Sequence, residues 1–160
     1  MQGERAGAIV AYTSAMKANS AKRAGPECLG FAARLLSRMI SGIYDDALAE
    51  SGLKVSQFSL LTAIANGDDP RPAELAKSLA MDESTMSRNV ARMCARGWLR
   101  LAPGNDDRRS HQIEITAKGV ALLEKCYPAW QKTQREIARR LGAEGVKSLR
   151  LVMNKLRSSA

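Results

Sequence analysis

From Phe31 onward, apolar residues return every three or four positions: Phe31, Leu35, Leu36, Met39, Ile40, Ile43, Ala47 and Leu48. That period predicts an amphipathic helix of about six turns, opened near Pro26 and stopped at Gly52. The next apolar run, SQFSLLTAIANG, predicts a second helix with Ser56 as its N-cap and Asn66 and Gly67 at its end. After the breaking stretch DDPRP, Pro72 opens a short helix whose Leu75, Ala76 and Leu79 face inward. A further helix follows with almost no connection, capped by Asp82, with Met81 placed to staple onto Met86. Met86, Val90, Met93 and Gly97 line its inner face. At about 100° per residue, the opposite face carries Ser84, Arg88, Ala91, Arg92 and Ala95.

Beyond Gly97 the period drops to two. WLRL and HQIEIT flank the stretch PGNDDRRS, and Ile113 and Ile115 alternate with Gln112 and Glu114, which predicts a β-hairpin with a long tip and a half-buried strand. Trp98 is placed to anchor its base. Thr116 then caps a helix with Leu122, Leu123, Cys126 and Trp130 on one side, in which Pro128 predicts a kink. A last helix, from about Gly142, carries Val146, Leu149, Val152, Met153 and Leu156. Residues 1–25 show no helical stripe and are expected to form an arm that is disordered or ordered only against a partner.

Composition supports one mainly helical domain. The chain has 160 residues, 45% of them apolar and 26% charged, and only 4% aromatic, enough to bury a core and poor in the residues that favour strands. Cys28, Cys94 and Cys126 are odd in number and widely spaced, so neither a disulfide framework nor a Cys-x-x-Cys metal knuckle is indicated. A reducing cytoplasm is the expected setting. The run AIVAYTSAM, residues 8–16, is too short to span a bilayer and contains Thr and Ser, against a signal peptide, so no membrane partner is expected.

The net charge of +9 favours a polyanionic partner, yet it is unevenly placed: +2 over residues 1–27, −1 over 28–81, +1 over 82–117 and +7 over 118–160. Overall charge therefore does not point at the hairpin. Layout does. Two helices joined by a tight turn, the second polar and cationic outside, followed by a hairpin with arginines at its tip, make a winged helix-turn-helix. The second helix suits a major groove, where Arg donates two hydrogen bonds to guanine and Ser or Thr reaches bases or phosphates. Ala91 and Ala95 allow close approach. An arginine on a thin loop enters the narrow minor groove, and a neighbouring aspartate holds its guanidinium extended. Arg109 is thus the expected inserted residue, Asp107 its orienting partner and Arg108 a phosphate contact.

At these residues the chain resembles the MarR family of bacterial transcription regulators. The likeness runs over about residues 28–158 and rests on YDDALAESGLKVSQFSLLTAIA, on PAELAKSLAMDESTMSRNVARMCARGWL, and above all on NDDRRSHQIEITAKG, which is similar to the family's wing motif. The resemblance implies a mainly α, winged helix-turn-helix protein of about six helices with a two- to three-stranded β-wing, dimerised through its N- and C-terminal helices. The expected organisation is an arm at 1–25 and one domain at 26–160, with a DNA-binding lobe at about 53–117 and dimerisation helices at about 26–51 and 117–158. The implied partners are double-stranded DNA carrying a pseudo-palindromic operator and a second copy of the chain. The +7 of the last segment is then expected outside the dimer seam, with some of it on flanking phosphates.

The expected function is sequence-specific transcription regulation by a ligand- or redox-responsive repressor. Specificity is assigned to Ser84, Thr85, Ser87, Arg88 and Arg92, with Arg88 the foremost base contact, and to Arg109 in the wing. The alternative is a winged-helix adaptor or a non-specific DNA-binding structural protein; an adaptor that binds protein instead of DNA predicts no steep salt dependence of DNA affinity. Exposed arginines are ordinarily solvated surface; the joint placement of Arg88, Arg92, Arg108 and Arg109 on one helix face and one loop tip is what singles them out.

Cys28 is the candidate redox residue. It falls in the first turn of the first helix, where the helix dipole favours thiolate, and it is similar to the sensing cysteine of the family's organic-hydroperoxide branch. Most such cysteines are small packing groups, as Cys94 and Cys126 are expected to be. No cofactor is indicated; a small-molecule effector is implied by the family, seated between dimer core and DNA-reading lobe. His111 is the only histidine, which excludes a His-rich zinc site, and no nucleophile-base pair or Gly-rich phosphate loop is present. An enzyme is not expected.

Overall fold

The computed structural model describes residues 27–67, 71–103 and 111–158. The arm at 1–25 and the hairpin tip lie outside the described residues. In chain order the elements are α1 (Leu29–Leu48), extended by a single 3-10 turn (Ala49–Ser51), α2 (Val55–Ala65), α3 (Pro72–Ser78), α4 (Glu83–Ala95), β1 (Leu99–Pro103), β2 (His111–Ile115) and α5 (Ala117–Ser158). The fold is mainly α, with one two-stranded antiparallel sheet. The chain divides into two units, one running to Ile40 and the other from Ser41 on, so α1 belongs partly to each.

The core of the second unit is assembled from every element it contains. Leu48, Leu53, Leu60, Leu61, Met86, Met93 and Ile113 are almost wholly inaccessible, and each contributes about 1.5–3 kcal/mol on burial. Phe58 of α2 stacks on Trp130 of α5 with ring centroids 5.6 Å apart, which fixes the long helix to the lobe. Trp130 is therefore a packing residue that bridges α5 to the core.

Helix ends are set partly by neighbours far along the chain. The N-terminus of α2 is capped from outside and from within: Val55 N–H donates to Asp45 Oδ1 of α1 at 2.7 Å, and Lys54 N–H donates to Oε1 of Gln57, in the helix's own first turn, at 3.1 Å. Ser56, expected as the cap, is inside the helix, because the Asp45 carboxylate on α1 already satisfies the first amide. Pro128 does not interrupt α5, whose one non-helical residue is Gly142, with φ 68° and ψ 167°. Pro128 and Glu124 are both exposed, so the Glu124 carbonyl left without its amide partner is open to water.

The two turns around α4 share one hydrogen-bond pattern. After α3, Met81 N–H donates to Ala76 O at 2.8 Å, and after α4, Trp98 N–H donates to Met93 O at 2.9 Å. This 6→1 closure places one residue in the left-handed region. That residue is Gly97 in the second turn, φ 71°, and Ala80 in the first, φ 50°. Ala80 thus carries a strain that Gly97 avoids.

Candidate nucleic-acid interface

The start of α4 is built by its cap. Asp82 Oδ1 accepts the Thr85 amide at 2.8 Å and the Ser84 hydroxyl at 2.6 Å. Hydrogen bonds from Ser84 and Thr85 hold the Asp82 carboxyl well below the usual carboxylate range. The Ser84 proton is thereby committed, leaving its oxygen free to accept.

Met86, Val90 and Met93 turn inward and are buried, while Ser84, Ser87, Arg88, Ala91, Arg92 and Ala95 are exposed and Thr85 is half-buried. Arg88 Nη2 donates to Thr85 Oγ1 at 3.0 Å, which holds the guanidinium along the outer face toward the N-terminus of α4. Five of the expected contacts, Ser84, Thr85, Ser87, Arg88 and Arg92, therefore lie within the first three turns of one helix. That face carries hydroxyl acceptors and donors and two guanidinium groups, with alanines between them, and a groove with base edges is what such chemistry can read. Asp107, Arg108 and Arg109 lie outside the described residues.

The wing's two arms are described. Leu99 pairs with Ile115, Leu101 with Ile113 and Pro103 with His111. Arg100 Nε donates to Glu114 Oε2 across the ladder at 2.8 Å, so this arginine is held against the strand. Gln112 departs from the expected alternation: it is buried beside Ile113, because β2 packs against both α2 and α3. Among the described residues its Nε2 has no hydrogen-bond partner.

The wing base is locked to α4 and α5 at Thr116 and Gly119. Thr116 Oγ1 donates to Gly97 O at 2.7 Å, Thr116 N–H donates to Trp98 O at 3.0 Å, and the same hydroxyl accepts the Gly119 amide at 3.1 Å. Thr116 thus caps α5, as expected, and also fastens it to the turn after α4. Gly119 is buried against this junction: a Cβ there would run into the Trp98 carbonyl oxygen and lie 2.8 Å from Ile115 Cγ1. The sequence signal for both was the Thr-Ala-Lys-Gly exit of the strand.

Arg96 donates to Gly52 O at 3.0 Å and stacks over Trp98 at 4.8 Å, while Lys118 Nζ donates to Arg96 O at 2.8 Å. These cations act as clamps between segments, although their residue type alone would place them among groove contacts. Burial raises the Cys94 thiol pKa and Cys126 is buried, so both serve as packing groups. Cys28 is exposed, just before α1, and its Sγ accepts the Phe31 amide at 3.4 Å. Among the described residues no cluster of His, Cys, Asp or Glu is suited to hold a metal ion, and no helix is long and apolar enough to cross a membrane.

A short helix, a tight turn, a capped helix with a polar outer face and an adjoining hairpin define a winged helix-turn-helix protein. A model of the MarR family matches residues 51–110. The multiple antibiotic resistance protein MarR of Escherichia coli is 25% identical over 129 residues, 80% of this chain and 90% of that protein. The structure of the M. tuberculosis transcriptional regulator MosR in complex with DNA is 32% identical, with a TM-score of 0.74 over 82% of this chain and 95% of that one. A mutant MarR from E. coli complexed with operator DNA is 25% identical, with a TM-score of 0.72 over 80% of this chain and 92% of that one. The chain belongs to the MarR family.

Proposed function

We propose that this protein is a homodimeric, sequence-specific double-stranded-DNA-binding transcription regulator of the repressor type, working in the cytoplasm. The observation that carries this is the outer face of α4, where Ser84, Ser87, Arg88 and Arg92 stand exposed on a helix whose inner face is fixed in the core. Ser and Arg on that face read base edges and phosphates in the major groove, and Arg109 enters the minor groove with Asp107 orienting it. The solved complexes of MosR with DNA and of MarR with operator DNA support the same use of the fold.

The second copy is supported by apolar surface that one chain leaves open. Phe31, Leu35 and Met39 on α1 and Leu151, Val152 and Leu156 on α5 are all exposed, which a water-facing helix does not sustain. A symmetric pair covers them and carries two reading heads to successive turns of a pseudo-palindrome. DNA release is assigned to a small effector, and Cys28 adds an oxidant input: its exposed sulfur at a helix start is open to peroxide. Loss of DNA to peroxide in wild type, with retention in Cys28→Ser, is the expected outcome.

The test is a fluorescence-anisotropy titration against the DNA upstream of the protein's own gene and a scrambled duplex of equal length, at two salt concentrations. Tight, selective binding that weakens with salt is expected. Weak and equal binding to both duplexes would leave an operator elsewhere, or a non-specific or protein-binding role for the winged domain.

A further inference from the structure

From Ala117 to the bend at Gly142, α5 carries cations on the side that the lobe does not use. Cys126, Thr133 and Ile137 are buried and Trp130 stacks on Phe58, which turns that side of α5 toward α2. Lys125, Lys132 and Arg139 recur every seven residues, with Arg135 between the last two, and all four are exposed. At about 100° per residue they share an arc of about 80° roughly opposite the buried side, and they extend about 21 Å along the helix. Among the described residues none of the four has an ion-pair partner. Glu136, the acidic residue in the same arc, is paired with Arg140, and Glu124 projects about 100° away from Lys125. Lys132 and Arg135, and Arg135 and Arg139, are like-charge neighbours three and four residues apart, an arrangement that by itself destabilises a helix. A polyanion laid along the arc reverses that cost.

We propose that this arc holds the phosphate backbone of a second stretch of double-stranded DNA, without reading its sequence. A row of cations fits a row of phosphates, and the arc lacks what other anionic partners require. Pro128 is its one apolar residue from Lys125 to Arg139. It therefore offers neither the aromatic or aliphatic anchor of a protein interface nor the apolar face of a helix lying on a membrane. With no hydroxyl or amide side chain among them, its lysines and arginines position a backbone and do not select bases. The duplex is a second one because α5 itself stands between the arc and the lobe that carries α4, and Lys118, nearest the wing base, is tied to Arg96 O. The exposed apolar residues Leu151, Val152 and Leu156 lie beyond the bend, so a second copy of the chain and this duplex use different parts of α5. Binding by the arc stands by itself; the joining of an operator to another segment of DNA rests on the function proposed above.

The test compares wild type, the fourfold variant Lys125→Gln/Lys132→Gln/Arg135→Gln/Arg139→Gln, and the double variant Arg88→Ala/Arg92→Ala. The four altered side chains are exposed and glutamine forms helix as readily as lysine, so folding is retained. Thermal melting checks this, and the fourfold variant should melt no lower than wild type, because like charges have been removed. Beads carrying the DNA upstream of the protein's own gene are loaded with protein, washed and offered a fluorescent scrambled duplex. Wild type should capture the second duplex, whereas the fourfold variant should load the beads equally and capture none. In anisotropy with the scrambled duplex, the double variant should keep salt-dependent binding. Adding the four glutamines to it should lower the slope of log affinity against log salt by about 0.9 for each cation removed. Bead-bound wild type that captures no second duplex would overturn the proposal. Undiminished capture by the fourfold variant would do the same, since the two reading heads would then join duplexes by themselves. Capture of polyglutamate in place of duplex would give the arc to an acidic protein and overturn it too. A wild type with no preference for the upstream DNA, together with a double variant that keeps the arc's salt dependence, sustains the arc and removes the sequence-reading function instead.

Discussion

In the lobe formed by α2, α3, α4 and the wing, Leu60, Leu61, Met93 and Ile113 are sealed from water, whereas Met39 on α1 is 61% exposed and Leu156 near the end of α5 is 68% exposed. Both regions follow the same helical period of apolar residues, so the difference lies in what covers them. The lobe closes its core with its own strands and helices together with Leu48 of α1 and Cys126 and Trp130 of α5, all from one chain. The outer helices present apolar stripes with no such cover among the described residues, and in the homodimer proposed above their stability depends on protein concentration.

The sharpest way to break the lobe is at the wing base. Gly119→Ala forces a Cβ onto the Trp98 carbonyl and Ile115 and should cost about 3 kcal/mol of unfolding free energy, measured in urea. A loss below the error of that measurement would show that the junction adjusts freely. Next in size, Arg88→Ala should weaken operator binding by about 2 kcal/mol, roughly thirtyfold, with the melting temperature unchanged. A parallel drop in stability would mean that the Arg88–Thr85 hydrogen bond holds α4 together, so that the residue's role is internal.

On the other side of the comparison, Leu156→Glu should leave the lobe folded and weaken self-association by about 1.5 kcal/mol, more than tenfold, in sedimentation equilibrium. An unchanged association constant would place the seam elsewhere. Ala80→Gly should stabilise the lobe by about 1 kcal/mol, since glycine adopts the left-handed conformation without strain, as it already does at Gly97. Scanning calorimetry reads this directly; a lower melting temperature would mean that the Ala80 methyl contributes more than its backbone costs.

The smallest effect concerns acid. Asp82 has its folded-state pKa below the ordinary carboxylate value, so its contribution is complete above about pH 4 and declines as pH falls through that value toward the folded one. The stability gap between wild type and Asp82→Ala should therefore be constant near neutrality and narrow in acid. A gap that persists unchanged to strongly acidic pH would contradict the assigned hydrogen bonds.

Much of this was legible along the chain. The apolar period marks α1 to α4 and the stripe of α5, period two marks β2, and Asp82 as a cap marks the start of α4. Such signals are local, involving residues within one or two turns, and local geometry follows from sequence spacing alone. The site face was legible for the same reason: once Met86, Val90 and Met93 turn inward, Ser87, Arg88 and Arg92 have only the outside left.

Apart from Pro128, whose expected kink is absent because the Glu124 carbonyl is open to water, what misled was a contact between distant segments. Ser56 has the chemistry of a cap, yet Asp45, ten residues before Val55, takes that place. Gln112 alternates as a solvent-facing residue should, and is buried because α2 and α3 both reach β2. Arg96 is as cationic as Arg92, but its guanidinium is engaged by the Gly52 carbonyl and the Trp98 ring.

The sequence by itself determined the elements, their inner and outer faces and the cluster of hydroxyls and guanidiniums on α4, because helix and strand periods and caps act over a few residues. Tertiary structure alone decided which arginines are clamps and which stand on the outer face of α4, and how tightly Gly119 seats the wing. Those outcomes depend on distances between segments up to tens of residues apart, which no local pattern encodes.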